Sequence, residues 1–196
     1  MASVSPDHPP PALPDDLGNL LRAFDEVESE ADDLVAPLDD EQFNWTPARG
    51  GWSIAQCLDH LNLTNAAYLR VLAPACERAR LAGFARSAPP ALSLPARWLV
   101  MLVEPPPRFR LPAPGQTQPA RRKHKAEVWP EFVRTNGQVK ALVQTYAGVD
   151  LTRARIRFPV LGHLRAWTVL CIMAAHERRH LWQAQQVRAS HGFPRS

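Results

Sequence analysis

Four long stretches of this sequence repeat apolar residues at alternating intervals of three and four positions, the spacing that collects side chains on one face of an α-helix. The stretches are residues 15–37, 54 to between 74 and 83, 129–148 and 164 to about 189. Each apolar face has to be covered by another element, and four such helices in one chain cover one another. The sequence therefore predicts an all-α protein built as a four-helix bundle.

Proline indicates where the bundle is interrupted. The 196 residues contain 20 prolines against nine glycines, and the prolines are clustered. Residues 1–14 are proline-rich and polar, so we expect a disordered N-terminal tail there. Residues 84–128 are predicted to form a proline-rich irregular insertion between the second and third long helices, with one short helix from Ser93 to Val103. A single folded domain should then span residues 15–192.

Charge is divided unevenly along the chain, although the net charge is only +4. Residues 1–41 hold twelve of the nineteen acidic residues and a single base, and the remainder is strongly basic. We interpret this as an acidic first helix packed against a basic body, and not as a nucleic-acid interface, because no aromatic-and-basic recognition motif accompanies the charge.

The connection before the last helix alternates apolar and basic residues from Thr152 to Phe158. This pattern predicts a short edge strand or an extended connector. Its arginines, at 153, 155 and 157, could attract anionic substrates, but a solvated basic surface is the interpretation we favour.

The three cysteines are odd in number and widely spaced, at Cys57, Cys76 and Cys171. That spacing matches neither a disulfide framework nor a CxxC metal site, and it favours reduced thiols. No secretory leader and no apolar run of about 20 residues is present in the sequence. We therefore expect a cytoplasmic protein that does not bind membranes.

Two histidines, His176 and His180, lie four residues apart in the last predicted helix. On a helix their rings leave the same face about one turn apart, which suits two imidazoles that bind one metal ion. The helical period also places this pair on the apolar stripe with Ile172 and Met173. Buried titratable rings need partners, and a divalent cation would supply one.

A catalytic metal centre normally has three protein ligands and one open position. The candidates for the third ligand are His60, His124, His163 and the carboxylates, and His60 is the only one of these histidines inside a predicted long helix. The run from His176 to His180 also matches H-E-x-x-H, in which Glu177 would be the catalytic base of a metalloprotease. We rank the protease last, because residue 186, where a metzincin would have its third histidine, is Gln186.

Two segments together resemble the DinB-like superfamily of DinB/YfiT four-helix proteins. They are GGWSIAQCLDHL at residues 50–61 and AAHERRHLWQAQQV at residues 174–187, and the resemblance extends over roughly residues 15–190. Carried over position by position, it implies a three-histidine metal site of His60, His176 and His180. One departure is Phe158, which stands before Pro159 where relatives often have a histidine that is not a ligand.

The resemblance implies a metal-dependent enzyme with zinc or nickel and a small-molecule substrate. Known relatives include thiol-dependent S-transferases and isomerases that use bacillithiol or mycothiol, so a low-molecular-weight thiol is an expected second cofactor, and others are described as hydrolases. The alternative is a non-catalytic metal-binding or self-associating bundle of the stress-response type. A homodimer is expected in either case, since a helical bundle with exposed apolar flanks tends to self-associate.

Overall fold

The computed structural model describes residues 13–106, 115–158 and 162–194. Within these residues the chain forms six α-helices and one two-stranded antiparallel hairpin. The elements are α1 (Asp15–Val35), α2 (Asp40–Asn44), α3 (Ile54–Leu81), α4 (Leu94–Val103), α5 (Lys125–Thr145), β1 (Arg155–Phe158), β2 (Gly162–Arg165) and α6 (Ala166–Arg188). The protein is thus mostly helical, and a short hairpin corrects the all-α prediction.

The four long helices α1, α3, α5 and α6 form a bundle in which α1 and α3 each pack against both α5 and α6. One buried apolar cluster joins the first halves of α1 and α6 to the second halves of α3 and α5. A second cluster joins the opposite halves of the same helices. Helices α1 and α6 therefore run in one direction, and α3 and α5 run in the other.

This topology requires a long connection between α3 and α5, because two consecutive parallel helices begin at the same end of the bundle. Helix α3 has 28 residues, so the chain must travel back about 40 Å before α5 can begin. Residues 82–124 make this crossover, and α4 within it packs against α6. The predicted short helix at 93–103 is confirmed as α4. The proline-rich insertion as a whole stays a prediction, since residues 107–114 lie outside the described part.

Local sequence signals explain most helix ends. The Ser53 side chain accepts a hydrogen bond from the backbone N–H of Gln56, and the Gln56 side chain accepts one from the N–H of Ser53, so α3 begins with a capping box. Asp15 and Asp16 lie in the first turn of α1, where negative charge is favourable. Gly83 follows α3 with φ of +70°, a conformation that favours glycine at a helix end.

Three predicted boundaries were wrong. Helix α2 forms between the first two predicted long helices, where no helix was predicted, and it begins with a capping box between Asp39 and Gln42. Helix α5 begins at Lys125, four residues earlier than predicted, because exposed Pro130 lies inside the helix instead of opening it. Helix α6 begins at Ala166, because Leu164 and Arg165 belong to β2.

Further predictions concern membrane association, the N-terminal tail and the domain boundaries. No helix in the described ranges is both long and apolar enough to cross a membrane. The disordered tail predicted at residues 1–14 falls almost entirely outside them, since α1 is preceded only by Leu13 and Pro14. The domain boundaries 15–192 and the cytoplasmic location stay predictions.

Candidate metal centre

Three histidines meet at the end of the bundle where α3 begins. His60 comes from the second turn of α3, and His176 and His180 come from the middle of α6. One ring nitrogen from each lies within 4.8 Å of those of the other two, and the Nε2 atoms of His60 and His176 are 3.3 Å apart. Among the histidine, cysteine, aspartate and glutamate side chains of the described residues, these three histidines are the ones that lie close enough together to share a metal ion.

The helix directions explain why these rings meet. His176 and His180 are one turn apart on the face of α6 that packs on α3, and α3 runs antiparallel to α6. The indole of Trp52, one residue before the α3 N-cap, stacks on the His180 ring with centroids 5.5 Å apart and also touches the His60 ring at 4.8 Å. Trp52 therefore holds two of the rings from the side.

Hydrogen bonds fix which nitrogen of two of these rings is available. The Nδ1 atom of His60 is 2.6 Å from the carbonyl oxygen of Thr117. A carbonyl only accepts, so Nδ1 of His60 carries the proton and Nε2 has a free lone pair. The Nδ1 atom of His180 is 3.1 Å from Oε1 of Gln183, which in the same way leaves Nε2 of His180 for the cluster.

Burial keeps the three rings neutral. It lowers the pKa of His176 to about 3, with further lowering from the adjacent His60 and Arg179. It lowers the pKa of His180 well below its usual value, and His176 and His60 add to this effect. Burial also lowers the pKa of His60, against a smaller opposite effect of the hydrogen bond to Thr117. At neutral pH the rings are therefore bases with free lone pairs, the form in which imidazole binds metals.

The residues present fit a divalent cation. Two free lone pairs are aimed into one small space by hydrogen bonds on the far side of each ring, the arrangement typical of metal-binding histidines. The donor set of three imidazoles matches zinc and nickel chemistry and leaves a coordination position open. His60, His176 and His180 are the three residues that the sequence predicted.

The other candidate ligands lie elsewhere. His124 precedes α5 and its Nδ1 is 2.7 Å from the Asp40 carboxylate, in an exposed ion pair. His163 is exposed in β2, opposite Arg157 in the hairpin. Neither belongs to the cluster of three rings.

Glu177, predicted as a catalytic base, is fully buried in the bundle. Its Oε1 accepts a hydrogen bond of 2.7 Å from Nδ2 of Asn65 on α3, and within the described residues no hydrogen bond or ion pair joins it to the three rings. Burial raises the pKa of the Glu177 carboxyl to about 8. These contacts favour a structural role, and its catalytic role stays a prediction.

Sequence reasoning missed the residues that hold the His60 ring from behind. Thr117 lies in a 3-10 helix, Gly115–Thr117, near the end of the crossover. That part of the crossover is fixed to α3 because the Asp59 carboxylate accepts hydrogen bonds from the backbone N–H of Ala120, at 2.9 Å, and from Nζ of Lys123, at 2.7 Å. Asp59 is next to His60 in the sequence, and this adjacency was the available signal.

The basic run at residues 121–125 is partly bonded to the bundle. The Lys123 backbone also pairs with the Asn44 side chain through two hydrogen bonds, and the Lys125 ammonium donates to carbonyl oxygens at the end of α1. Arg121 and Arg122 are exposed. Three of the five basic residues therefore fasten the crossover to the bundle, since His124 pairs with Asp40.

Basic side chains from α6 lie beside the cluster. Arg178 donates to the carboxylate of Glu104, which follows α4, and Arg179 donates to the carbonyl of Leu102 at 3.4 Å. These contacts hold the end of α4 against the turn of α6 that carries His176. Both arginines are only partly exposed and are bonded to the crossover.

Comparison with known proteins agrees with this fold. A solved structure described as "YfiT from Bacillus subtilis is a probable metal-dependent hydrolase with an unusual four-helix bundle topology" superposes with a TM-score of 0.55 and 14% sequence identity, over 93% of this chain and 92% of that one. At this identity the likeness shows the fold. No curated protein sequence matches the chain significantly. The model of the DinB superfamily matches residues 23–184, and the chain therefore belongs to the DinB superfamily.

Proposed function

We propose that this protein is a metal-dependent enzyme that binds one divalent cation, zinc or nickel, through His60, His176 and His180. The observation that carries the proposal is the convergence of three neutral imidazole nitrogens within 4.8 Å, with no carboxylate or thiolate among them. When bound there, a divalent cation supplies a Lewis acid that lowers the pKa of a water molecule or of a thiol. Three ligands leave a position for that molecule.

Hydrolysis is the reaction we place first. The related YfiT structure carries the description of a probable metal-dependent hydrolase, and the donor set found here suits activation of water. The chain contributes ligands, the Trp52 stack and a shielded site between α3, α6 and the crossover. A small-molecule substrate fits this assignment, because the site is built from side chains on rigid helices at one end of a bundle.

Thiol transfer is the second candidate reaction. The state of the three cysteines indicates that its thiol would come from an external molecule and not from this chain. Burial raises the pKa of all three thiols, Cys57, Cys76 and Cys171. None of them is therefore a ready thiolate at neutral pH. A transferase reaction would need a low-molecular-weight thiol as a cosubstrate, as the family resemblance implies.

Metal content of the untagged protein tests the proposal, measured by elemental mass spectrometry beside the His60→Ala, His176→Ala and His163→Ala variants. We expect close to one equivalent of zinc or nickel in the wild type and in the His163→Ala control, and loss of at least nine-tenths of it in the other two. A wild type that binds neither metal after incubation would refute the metal site. Metal retained in the His60→Ala and His176→Ala variants would refute the ligand assignment.

Reaction class is decided next with the metal-loaded protein. Ester and amide substrates are screened with and without added thiol, and the His176→Ala protein serves as the blank. Turnover without thiol supports the hydrolase. Turnover that requires thiol, with formation of a thioester and release of the alcohol or amine, supports the transferase, and metal binding without either activity supports the non-catalytic alternative.

A further inference from the structure

A groove lined by arginines lies at the opposite end of the bundle from the three histidines. It has a volume of about 490 Å³, and four arginines are among the residues that line it, Arg78, Arg153, Arg155 and Arg165. Its floor is formed by small residues at the end of α3, Ala75, Ala79 and Ala82. Small-molecule sites of roughly 300–1,000 Å³ are typical in proteins, and this groove falls within that range.

The groove is far from the proposed metal centre. On α3 the floor residue Ala79 is nineteen residues after His60, and on the other wall Arg165 is eleven residues before His176. At 1.5 Å per residue these separations are about 28 Å and about 16 Å along the bundle. The arginines therefore cannot serve as part of the histidine site.

No acidic residue lines this groove, and within the described residues none of its four arginines forms an ion pair. The two carboxylates nearest in the sequence have other partners: Glu77 pairs with Arg80, and Asp150 accepts hydrogen bonds from the backbone N–H and the hydroxyl of Thr152. Four uncompensated guanidinium groups around one concave surface leave a strong positive potential there. A surface of solvated arginines would instead spread its charges apart.

The hairpin forces two of these charges together. Arg155 and Arg165 are direct cross-strand partners in the β1–β2 register, and Arg157 and His163 form the next pair. Like charges directly opposite on a strand pair destabilise it. An anion bound between Arg155 and Arg165 would remove that repulsion, so the register itself favours an anionic ligand.

Two of the guanidinium groups are held in place without using an acidic partner. The Cζ atom of Arg153 lies 3.5 Å from the centre of the Phe84 ring, and Nη1 of Arg165 donates to the carbonyl oxygen of Thr152 at 2.8 Å. Both groups keep further N–H donors. Fixed guanidinium forks bind phosphate oxygens in pairs and lose less conformational entropy on binding than free side chains do.

We propose that this groove binds a small ligand through a diphosphate group. The four arginines supply the positive charge that two adjoining phosphates require. A single carboxylate or monophosphate would neutralise at most half of the charge of the four arginines. The diphosphate can be free or part of a nucleotide, and the recognition chemistry is the same in both.

Isothermal titration of the full chain at physiological salt tests the proposal, with inorganic pyrophosphate and ADP as separate probes. Saturable binding of one molecule per chain is expected, weakened at least tenfold in the Arg155→Gln/Arg165→Gln double variant. The matched control is Arg122→Gln, which removes the same kind of charge from an exposed position at the metal end, and we expect it to stay within twofold of the wild type. The single variant Arg155→Gln, whose side chain makes no hydrogen bond within the described residues, should keep or raise the thermal midpoint, because it relieves the repulsion from Arg165, while it loses affinity.

The outcomes separate the possibilities. Equal affinity for both probes assigns the site to the diphosphate itself, and at least tenfold tighter binding of ADP assigns it to a nucleotide. No saturable binding of either probe refutes the proposal. An equal loss in the Arg122→Gln control, or tighter binding of a DNA duplex with a steep dependence on salt, also refutes it by showing a general basic surface. The His176→Ala variant should bind both probes normally, so the result is independent of the metal centre.

Discussion

The Nδ1 atom of His60 is 2.6 Å from the carbonyl oxygen of Thr117, a residue 57 positions further along the chain. This hydrogen bond joins the first turns of α3 to the end of the crossover. Because it fixes the ring's tautomer, a backbone atom of the crossover determines how one proposed ligand faces the other two. The crossover required by the parallel α3 and α5 thus also forms part of the site.

Asp59 should control metal affinity without binding metal. Its carboxylate holds Ala120 and Lys123, and thereby keeps Thr117 behind His60. The Asp59→Asn change loses the charge that attracts Lys123, so we expect metal affinity to fall about tenfold or more, in line with other residues that support a ligand from behind. Competition with a chelator measures it.

The control for this prediction is Glu131→Gln, which breaks an exposed ion pair with Arg134 on α5. Its metal affinity should equal that of the wild type. Equal affinities in all three proteins would show that the crossover does not position His60. A loss of affinity restored in Asp59→Glu would show that the carboxylate is what matters.

The sequence predicts those parts of the structure that depend on local pattern. The apolar spacing located the long helices and placed the start of α3 at residue 54, and the four-residue interval put His176 and His180 on one face. Each of these features is determined within about ten residues of chain. The choice of His60 combined its place in a long helix with the family resemblance.

Features that depend on long-range packing were not predictable in the same way. Nothing local indicates that α3 and α5 are parallel, because direction depends on which halves of the helices share a core. The Thr117 contact uses a backbone carbonyl, which has no signature in the sequence. The β1–β2 hairpin was visible only as one alternating strand, since β2 is four residues long and adjoins α6.

Acid should destabilise the protein through the three rings. Burial lowers the pKa of His176 to about 3 from about 6.5 in the unfolded chain, so between these values the unfolded state binds more protons. The contribution of the three rings to the free energy of unfolding should therefore be constant above pH 7 and fall as the pH drops below 6.5. Thermal midpoints measured from pH 4 to pH 8 test this sign.

Added zinc or nickel should raise the thermal midpoint at pH 7.5 and lose its effect near pH 5, because protons compete with the cation for the same lone pairs. In the His176→Ala variant the metal effect should disappear at every pH. A thermal midpoint of the wild type that does not change on addition of metal at any pH would support the non-catalytic alternative.

The predicted homodimer can be tested at α4. Leu94, Trp98, Met101 and Leu102 turn outward from this helix and are between 41% and 72% exposed. At roughly 100 Å² each, these four side chains expose on the order of 400 Å² of apolar surface. This area is about half of the surface that one partner buries in a standard protein–protein interface. We expect a dimer by light scattering, and a monomer for Trp98→Glu.

The control for the dimer is Leu81→Glu, since Leu81 is as exposed as Leu94 but lies at the end of α3. This variant should remain a dimer. A monomeric wild type would refute the homodimer, and dissociation caused equally by both changes would place the interface elsewhere.

Glu177 should prove to be a buried structural group whose charge destabilises the fold. Burial raises its pKa to about 8, well above the value of about 4.3 in an unfolded chain. Between these values the folded state holds the extra proton, so this group's contribution to stability falls as the pH rises from about 4.5 to about 8. The Glu177→Gln variant removes the titration, so its advantage in thermal midpoint over the wild type should be larger at pH 9 than at pH 5.

Replacement by alanine should have the opposite effect. In Glu177→Ala the Asn65 amide loses its acceptor and a fully buried cavity is left, which together should cost about 2–4 kcal/mol of the free energy of unfolding.

Metal content should be unchanged in Glu177→Gln, because the carboxylate is not one of the three ligands. If that variant holds metal and keeps its stability but loses a measured hydrolase activity at least a hundredfold, Glu177 is the catalytic base after all, and the structural assignment is wrong.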